Sequence, residues 1–371
     1  MAFIIPPEIL LKQSLRLCTR FGHRVKLSTV SSTPMYRAAV CTKLAEPLVV
    51  REFPVPATLK ETEVLVATHA CGVNFADILT CKGLYQERRR TPFTPGGEIA
   101  GKVLAVGSKV HGIKSGDRVF VLAFGKTSGG AAEICLADMA SVFPVPDNLN
   151  LVEAASLIVS YSTSLMALTM KANLKKGETV LITAAAGATG LAAVDIAKNL
   201  IGCQVFAVCG GEEKCQFLQS RGADKTIDYT KDRIVDKVKE FTNGRGVDVV
   251  MDQVGGDSLL DCIKSLAFEG RALTIGYASG SIPKIPANQL LLKSSSLIGV
   301  FWGSYAQSNP SAFSKSIQQV LQGVADNKLR PHVGKTFSLD EINEAYQYVL
   351  DRKSVGKVVI KMKDEDLRSK L

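Results

Sequence analysis

Several patterns that would define the chemistry at once are missing from this 371-residue sequence. Its nine cysteines form no C-x-x-C pair and show no regular spacing, which argues against a disulfide framework and indicates a reducing compartment. Its four histidines lie far apart, without H-x-x-H or H-E-x-x-H spacing, which argues against a histidine-rich metal site. No apolar run is long enough to cross a bilayer, so we expect no membrane span.

Positive charge is in excess, but it is not clustered as on a nucleic-acid-binding surface. The formal net charge is +10, yet the one run of three basic residues, at 88–90, has no interleaved aromatic side chains. We interpret that run as a solvated loop and predict no nucleic-acid binding. The apolar content of 46% is ample for a buried core, and the length favours two domains.

The first 35 residues differ in composition from the rest of the chain. They hold one acidic residue, Glu8, and five basic ones, four of which recur at every fourth position: Lys12, Arg16, Arg20 and Arg24. A basic, amphipathic segment that is poor in acids and followed by Ser and Thr is typical of a mitochondrial transit peptide. We predict a transit peptide at residues 1–35 and a location in the mitochondrial matrix. The alternative is a disordered or surface-helical tail.

A strand–turn–helix pattern stands near the middle of the chain. An apolar, β-branched run leads into an A-x-G-x-x-G turn, in which Ala185 takes the place of the usual first glycine. Gly187 would let the backbone approach a diphosphate, and Gly190 would let the helix lie close to the strand. With Ala188 and Thr189 between them, these residues predict dinucleotide binding at a helix N-terminus. In the alternative, the small residues serve packing alone.

The pattern of predicted secondary structure changes near residue 153. Before it, short apolar runs are separated by proline and glycine, which favours a β-rich, barrel-like domain. After it, strands alternate with helices, which implies a parallel sheet covered on both faces. We predict strands at 179–183, 204–209, 225–227, 248–251, 271–276 and 297–301, and helices at 190–200, 212–221, 232–242 and 257–268. We also predict a helix at 340–350 and a strand at 357–360, in a segment whose pattern again resembles that of the β-rich first part.

Six motifs, in a fixed order, carry a family resemblance: ACGVNFADILTCKGLY, TPGGEIAGKVLAVG, GDRV, AAAGATG, GAD…IDY and GVFWG. In this combination the chain resembles the medium-chain dehydrogenase/reductase superfamily, most closely its zinc-less quinone oxidoreductases, the zeta-crystallin group. The resemblance implies an α/β fold with a GroES-like β-barrel catalytic domain plus a Rossmann doubly wound parallel-sheet domain, and an active site between them. The expected division is a catalytic domain at 36–160, a Rossmann domain at 161–300, and completion of the catalytic domain by 301–371.

The sequence departs from the zinc-dependent members of that superfamily. The resemblance places a ligand cysteine of those enzymes at Asn74 and a ligand histidine at Gly97. Their four-cysteine structural lobe has no counterpart between Gly83 and Ser160. Because a catalytic zinc needs about three protein ligands and an open position, we predict no metal site.

Chemistry without a metal suits an activated electrophile. A quinone or an α,β-unsaturated carbonyl accepts hydride at a conjugated carbon, and a hydrogen-bond donor then stabilises its oxygen. We predict Asn74 and Tyr85 as catalytic residues. Asn74 would donate to a substrate carbonyl or orient a water, and Tyr85 matches an active-site tyrosine of quinone oxidoreductases, although Leu79 stands where the family often has a second one. As alternatives, Asn74 caps a turn or helix, Tyr85 packs in a turn, and Asp77 is a structural acid.

The cofactor predicted from the second strand of the βαβ unit is NADPH. NAD-specific folds place an acid at the end of that strand, whereas this chain has Cys209 followed by two glycines, the first of them Gly210. The resemblance assigns Lys214 and Tyr229 to positions that contact the 2′-phosphate. The acids at 212–213 count against this assignment, and Lys214 is otherwise a solvated helix residue.

The resemblance assigns further residues to the nicotinamide pocket, all of which can equally be core or turn residues: Thr163, Gly276, Tyr277, Phe301, Trp302 and Gly303. It assigns Lys357 to the cleft. The strand at 297–301 corresponds to the edge at which members of the family pair two Rossmann sheets, so the resemblance also predicts a homodimer. The predicted function is NADPH-dependent reduction of quinones or enones, small-molecule electrophiles, without zinc. The alternatives are an enoyl-thioester reductase and an NADPH-binding protein with vestigial catalysis.

Overall fold

The structure, a computed structural model, describes residues 34–123 and 128–363. Within these ranges the strands are β1 (Met35–Val40), β2 (Val49–Pro54), β3 (Glu63–Gly72), β4 (Glu98–Val106), β5 (Arg118–Leu122), β6 (Ile134–Asp138), β7 (Val142–Pro144), β8 (Thr179–Ile182), β9 (Gln204–Cys209), β10 (Lys225–Asp228), β11 (Val247–Asp252), β12 (Leu266–Thr274), β13 (Ser296–Gly299), β14 (Val333–Ser338) and β15 (Lys357–Lys361). The α-helices are α1 (Phe75–Cys81), α2 (Leu151–Ala154), α3 (Ile158–Leu165), α4 (Ala188–Asp195), α5 (Glu212–Ser220), α6 (Ile234–Phe241), α7 (Gly256–Lys264), α8 (Ala287–Leu291), α9 (Tyr305–Ser308), α10 (Pro310–Ala325) and α11 (Ile342–Leu350).

A parallel sheet of six strands forms one half of the described structure, in the order β10-β9-β8-β11-β12-β13. Both of its faces are covered. On β8, for example, Val180 and Ile182 belong to one buried cluster and Leu181 to another. Because side chains alternate along a strand, a strand covered on both faces is apolar throughout, which is the pattern that the sequence shows there. The predicted Rossmann-like sheet is thus confirmed.

An antiparallel sheet forms the other half, with the path β14-β15-β3-β4-β5-β7 and with β6 paired to β3. The strands nearest the end of the chain join it, because β15 pairs with β3 and β14 lies parallel beside β15. The central partners in this sheet are β3 and β4, whose pairing extends to Gly72 and Glu98. The GroES-like half of the predicted fold class is therefore present, and the C-terminal segment belongs to it.

Some predicted boundaries differ from the observed elements. The helix predicted at 257–268 ends at Lys264, and β12 already begins at Leu266. Helix α10 lies beyond the predicted Rossmann limit at residue 300, yet its Phe313 and Ile317 share a buried cluster with β8 and α4. β1 begins at Met35, inside the predicted transit peptide, whose first 33 residues lie outside the described ranges. Among the described helices, none has the length and apolarity needed to cross a membrane.

Candidate active site

The glycine turn between β8 and α4 has the geometry of a phosphate-binding turn. Gly187 is the N-cap of α4 and offers no side chain to the first free N–H groups of the helix. A Cβ on Gly190 would lie 2.3 Å from the Ala184 carbonyl oxygen, so only glycine allows this approach of helix to turn. With Ala188 and Thr189 in the first helical turn, the N–H groups and the helix dipole suit the diphosphate of a dinucleotide.

The last strand of the antiparallel sheet contacts this turn. The Gly356 N–H donates to the Ala186 carbonyl at 2.7 Å, and Gly356 forms a parallel bridge with Gly187. Gly356 has φ +69°, and a Cβ there would lie 2.5 Å from the His332 carbonyl oxygen. The glycine turn and the start of β15, where Lys357 lies, are therefore held together by backbone contacts.

The end of β9 supplies the predicted ribose site. A Cβ on Gly210 would lie 2.8 Å from the Tyr229 hydroxyl, so the tyrosine ring lies directly against this glycine. Lys214, in the first turn of α5, donates its Nζ to the Arg352 carbonyl at 2.5 Å. Burial lowers the pKa of Lys214. Gly210 and Tyr229 are thus in contact, whereas the Lys214 ammonium is engaged by the Arg352 carbonyl.

An acid that the sequence analysis did not single out also lies at this loop. Asp228 ends β10, and its carboxylate accepts the Gly211 N–H at 3.0 Å and the Thr230 hydroxyl at 2.7 Å. These hydrogen bonds, that of Gly211 first, lower the pKa of Asp228 to about 2. Lys231 lies 3.8 Å from the other carboxylate oxygen. The carboxylate shapes the loop, and its charge is offset by that lysine.

Asn74 lies at the start of α1, beside a buried ion pair. The Lys357 Nζ donates to Asn74 Oδ1 at 2.7 Å and to Glu98 Oε2 at 2.6 Å. Asn74 Nδ2 donates to the same Glu98 oxygen at 3.2 Å and contacts the Gly72 carbonyl at 3.5 Å. The structure thus brings two predicted residues, Asn74 and Lys357, into direct contact. The Lys357 side chain, which the resemblance assigns to the cleft, is engaged with Asn74 and Glu98.

Glu98 is a residue of the candidate site that the sequence analysis did not single out. Its side chain is 1% exposed, and its second oxygen accepts the Val159 N–H at 2.9 Å, at the start of α3. One carboxylate therefore ties together β4, β15 and the helix that leads into the parallel sheet. The signal was available in the TPGGEIAG motif, because a carboxylate inside a glycine-rich, otherwise apolar strand needs a partner.

Asp77 supports this arrangement from within α1. Its carboxylate accepts the backbone N–H groups of Asn74 at 2.9 Å and of Gly97 at 3.1 Å. Burial nevertheless raises the pKa of Asp77 to about 6, because desolvation outweighs these hydrogen bonds. Asp77 thus hydrogen-bonds to the backbone of both Asn74 and Gly97, the two positions that the family resemblance associates with zinc ligands.

Tyr85 meets Phe301 edge to face, with ring centroids 6.4 Å apart. Burial raises the pKa of Tyr85 to about 12, so its hydroxyl remains a donor at neutral pH. Trp302 points elsewhere: it is 3% exposed, stacks on Phe313 and donates to the Ser316 hydroxyl. Of the predicted segment 301–303, the Phe301 side chain adjoins Tyr85, while the indole lies in the core.

The remaining predicted positions lie at the ends of parallel-sheet elements. Thr163 lies in α3, where the neighbouring Ser164 hydroxyl donates to the Thr189 carbonyl at 2.8 Å. Gly276 and Tyr277 follow β12, and a Cβ on Gly255 would lie 2.6 Å from the Tyr277 ring. Gly276 and Tyr277 thus lie just beyond the carboxyl end of a parallel strand, where open α/β sheets bind ligands, and Thr163 lies within α3.

The donor set at Asn74 does not match a catalytic metal. Gly97 has no side chain, and Asn74 and Glu98 are both engaged by the Lys357 ammonium. Across residues 34–123 and 128–363, no group of three or more His, Cys, Asp or Glu side chains is placed to hold a metal ion. A zinc ion needs about three such ligands.

Comparisons with known proteins agree with this architecture. Residues 60–147 match the family described as "Alcohol dehydrogenase GroES-like domain", and residues 188–322 match "Zinc-binding dehydrogenase". Quinone oxidoreductase-like protein 2 of Bos taurus is 45% identical over 328 residues, which cover 88% of this chain and 93% of the relative. Quinone oxidoreductase of Homo sapiens is 30% identical over 308 residues, covering 83% and 90%.

A solved structure is similar to this chain over nearly the same range. A mycobacterial protein in complex with NADPH has a TM-score of 0.79 and 30% identity, and the match covers 88% of this chain and 99% of that one. The chain belongs to the medium-chain dehydrogenase/reductase superfamily, among the quinone oxidoreductases and quinone oxidoreductase-like proteins. It is an oxidoreductase of that type.

Proposed function

We propose that this protein is a zinc-independent, NADPH-dependent reductase of quinones or α,β-unsaturated carbonyls. The observation that carries the proposal is the contact of Lys357 Nζ with Asn74 Oδ1 at 2.7 Å and Glu98 Oε2 at 2.6 Å. A protein ammonium group thus contacts Asn74, one of the two positions that the family resemblance associates with zinc ligands. A conjugated carbonyl can be reduced there without a Lewis acid, since hydrogen-bond donors stabilise its oxygen.

The chain's own residues have distinct tasks in this reaction. The turn at Gly187 and Gly190 fits the diphosphate of the cofactor. When bound, NADPH supplies the hydride that, together with one proton from water, converts a quinone to a hydroquinone. Asn74 and Tyr85 orient the substrate and donate hydrogen bonds to its carbonyl oxygen. Tyr85 keeps its proton at neutral pH, because burial raises the pKa of its hydroxyl to about 12.

NADPH is favoured over NADH by the surroundings of Gly210. Lys214 and Tyr229 flank the loop, and β9 ends in Cys209 instead of an acid. Asp228 is already saturated at one oxygen by Gly211 and Thr230 and has Lys231 near the other.

A homodimer and a mitochondrial matrix location complete the proposal. β13 is an edge of the parallel sheet, and an apolar edge strand is a natural pairing surface. The side chains of Leu291 and Leu292, at the end of α8 and a few residues before β13, are 78% and 75% exposed. The location rests on the composition of residues 1–35, and deletion of that segment from a tagged protein should abolish mitochondrial import. Unchanged import would refute it.

The test of the activity is NADPH oxidation by purified, chelator-treated protein, with and without an ortho-quinone, an enone or an enoyl thioester. We expect quinone- or enone-dependent turnover that survives metal removal. Turnover restored only by added zinc would refute zinc independence. Activity confined to the thioester would indicate an enoyl-thioester reductase, and tight NADPH binding without any turnover would indicate a binding protein.

A further inference from the structure

A buried ion pair such as that of Glu98 and Lys357 is a costly way to join two strands. Both side chains are 1% exposed. Removing two charges from water costs about as much as their attraction returns, and apolar residues of similar size are often as stabilising as a buried pair. Gly72 leaves room for this pair: a Cβ there would lie 2.0 Å from the Ala155 carbonyl oxygen, 2.8 Å from Lys357 Cε and 3.2 Å from Glu98 Oε2. The pair therefore calls for a specific purpose.

The chemistry of the pair determines how the Asn74 amide is oriented. An ammonium group can only donate hydrogen bonds, and a carboxylate can only accept them. Asn74 Oδ1 faces the Lys357 ammonium, and Asn74 Nδ2 faces the Glu98 carboxylate. A flipped amide would set its NH₂ against the ammonium and its oxygen against the carboxylate. Both of those contacts are repulsive, so one orientation remains.

We propose that Glu98 and Lys357 are positioning residues that lock the Asn74 amide so that it presents an N–H, and not its carbonyl, to the substrate oxygen. One Nδ2 hydrogen is directed to Glu98, and the second has the Gly72 carbonyl at 3.5 Å, the outer limit of a hydrogen bond. A substrate carbonyl is the better acceptor for that second hydrogen. This inference rests on the proposed function of Asn74.

This arrangement of Glu98 and Lys357 around the Asn74 amide, here called the lock, is also hydrogen-bonded to the half of the molecule that contains the parallel sheet. Glu98 Oε1 accepts the Val159 N–H at 2.9 Å, and the Gly356 N–H, one residue before Lys357, donates to Ala186 at 2.7 Å. The amide is thereby held in a fixed place relative to both α3 and the glycine turn. A donor that is oriented in advance does not have to reorganise during the reaction.

The first test observes the amide directly and does not require turnover. The variant is the double substitution Glu98→Gln with Lys357→Met, which removes both charges and leaves no unpaired one. The side-chain NH₂ signal of Asn74, in protein labelled with ¹⁵N-asparagine, is assigned from its loss in Asn74→Ala. We expect its hydrogen exchange with water to become at least about tenfold faster in the double variant, while Lys361→Met on the same strand leaves it unchanged. An unchanged exchange rate in the folded double variant would overturn the lock.

The second test measures its consequence for catalysis. In the double variant kcat should fall about 100-fold, the effect of losing one oriented donor, while the NADPH Kd and the quinone KM stay within about threefold. In an Asn74→Ala background, the double substitution should cause no further loss of kcat, because the pair acts through that amide. If the kcat losses of Asn74→Ala and of the double substitution multiply, or if the NADPH Kd shifts, the ion pair has a purely structural role. If the wild-type protein reduces no electrophile, the proposed function fails, and the exchange measurement still decides the lock.

Discussion

Tyr85 and Phe301 form an edge-to-face pair, with ring planes at 81° and centroids 6.4 Å apart. Tyr85 follows α1, beside the antiparallel sheet, and Phe301 follows β13 of the parallel sheet. The contact therefore joins the two halves of the molecule at the candidate site. A pair of this geometry contributes about 0.5–1.5 kcal/mol beyond the area that it buries. Phe301 remains 41% exposed, so part of the apolar surface of this ring pair is accessible to solvent.

Tyr85→Phe tests the hydroxyl separately from the ring contact. The substitution keeps the ring that packs on Phe301 and removes the hydrogen-bond donor. We expect kcat/KM for quinone reduction to fall about 100-fold, with the NADPH Kd unchanged, in steady-state kinetics and fluorescence titration. Tyr348→Phe, in which a ring packed on Phe337 is changed, is the matched control. Full activity of Tyr85→Phe would assign Tyr85 to packing.

Asp77 predicts a specific pH dependence of stability. Its pKa is about 6 in the folded state, against an ordinary 3.8. Between those values the native state retains a proton that the unfolded state has lost, so the stability contributed by Asp77 is complete below about pH 4 and is lost as pH rises through 6. Asp77→Asn cannot ionise. As the pH rises from 4 to 7, the free energy of unfolding of Asp77→Asn should increase relative to that of the wild type, by at most about 3 kcal/mol.

Urea unfolding of both proteins at pH 4, 5, 6 and 7 measures this difference. Asp351→Asn is the control, because hydrogen bonds from Lys353 and Gln347 lower the pKa of Asp351. Its contribution is present above the unfolded pKa and is lost as pH falls, the opposite sign. A stability difference between Asp77→Asn and wild type that stays constant from pH 4 to 7 would contradict the raised pKa.

Lys214→Ala tests the choice of cofactor. If Lys214 contacts the 2′-phosphate, its removal costs a charge-assisted hydrogen bond, which corresponds to about a 10- to 100-fold increase in the NADPH Kd. The NADH Kd should change less than about threefold, since NADH lacks that phosphate. Lys239→Ala, an exposed lysine on α6, should alter neither value in calorimetric titration. Equal effects on both cofactors would count against the NADPH assignment.

Leu291→Glu with Leu292→Glu tests the proposed dimer. Both side chains are largely exposed and precede the edge strand β13 by a few residues, and in the proposed dimer two carboxylates there would be buried against those of a second copy. We expect sedimentation velocity to show a dimer for the wild type and a monomer for the variant. Met170→Glu, a substitution of an apolar residue that is 49% exposed, should leave the dimer intact. A monomeric wild type would refute the proposal.

The sequence predicted the elements whose signal is local. The strand at 204–209 coincides with β9, and the others are displaced by a few residues. The helix predicted at 257–268 was too long, because Leu266 and Ala267 continue its apolar spacing. In the structure they begin β12, which pairs with β11 and contains Glu269 at φ +58°. A pairing partner distant in sequence decided between helix and strand, and periodicity does not report such a partner.

The candidate site divides in the same way. Sequence alone indicated the glycine turn, whose signal lies within a few positions, and the order of six motifs indicated the fold class together with Asn74 and Tyr85. Tertiary structure alone decided that Glu98 and Lys357, 259 residues apart, form a pair around Asn74. The physical reason is strand register: Gly72 of β3 pairs with Glu98 on one side and with Val359 of β15 on the other. Without a side chain at Gly72, the lysine can reach the carboxylate across the strand.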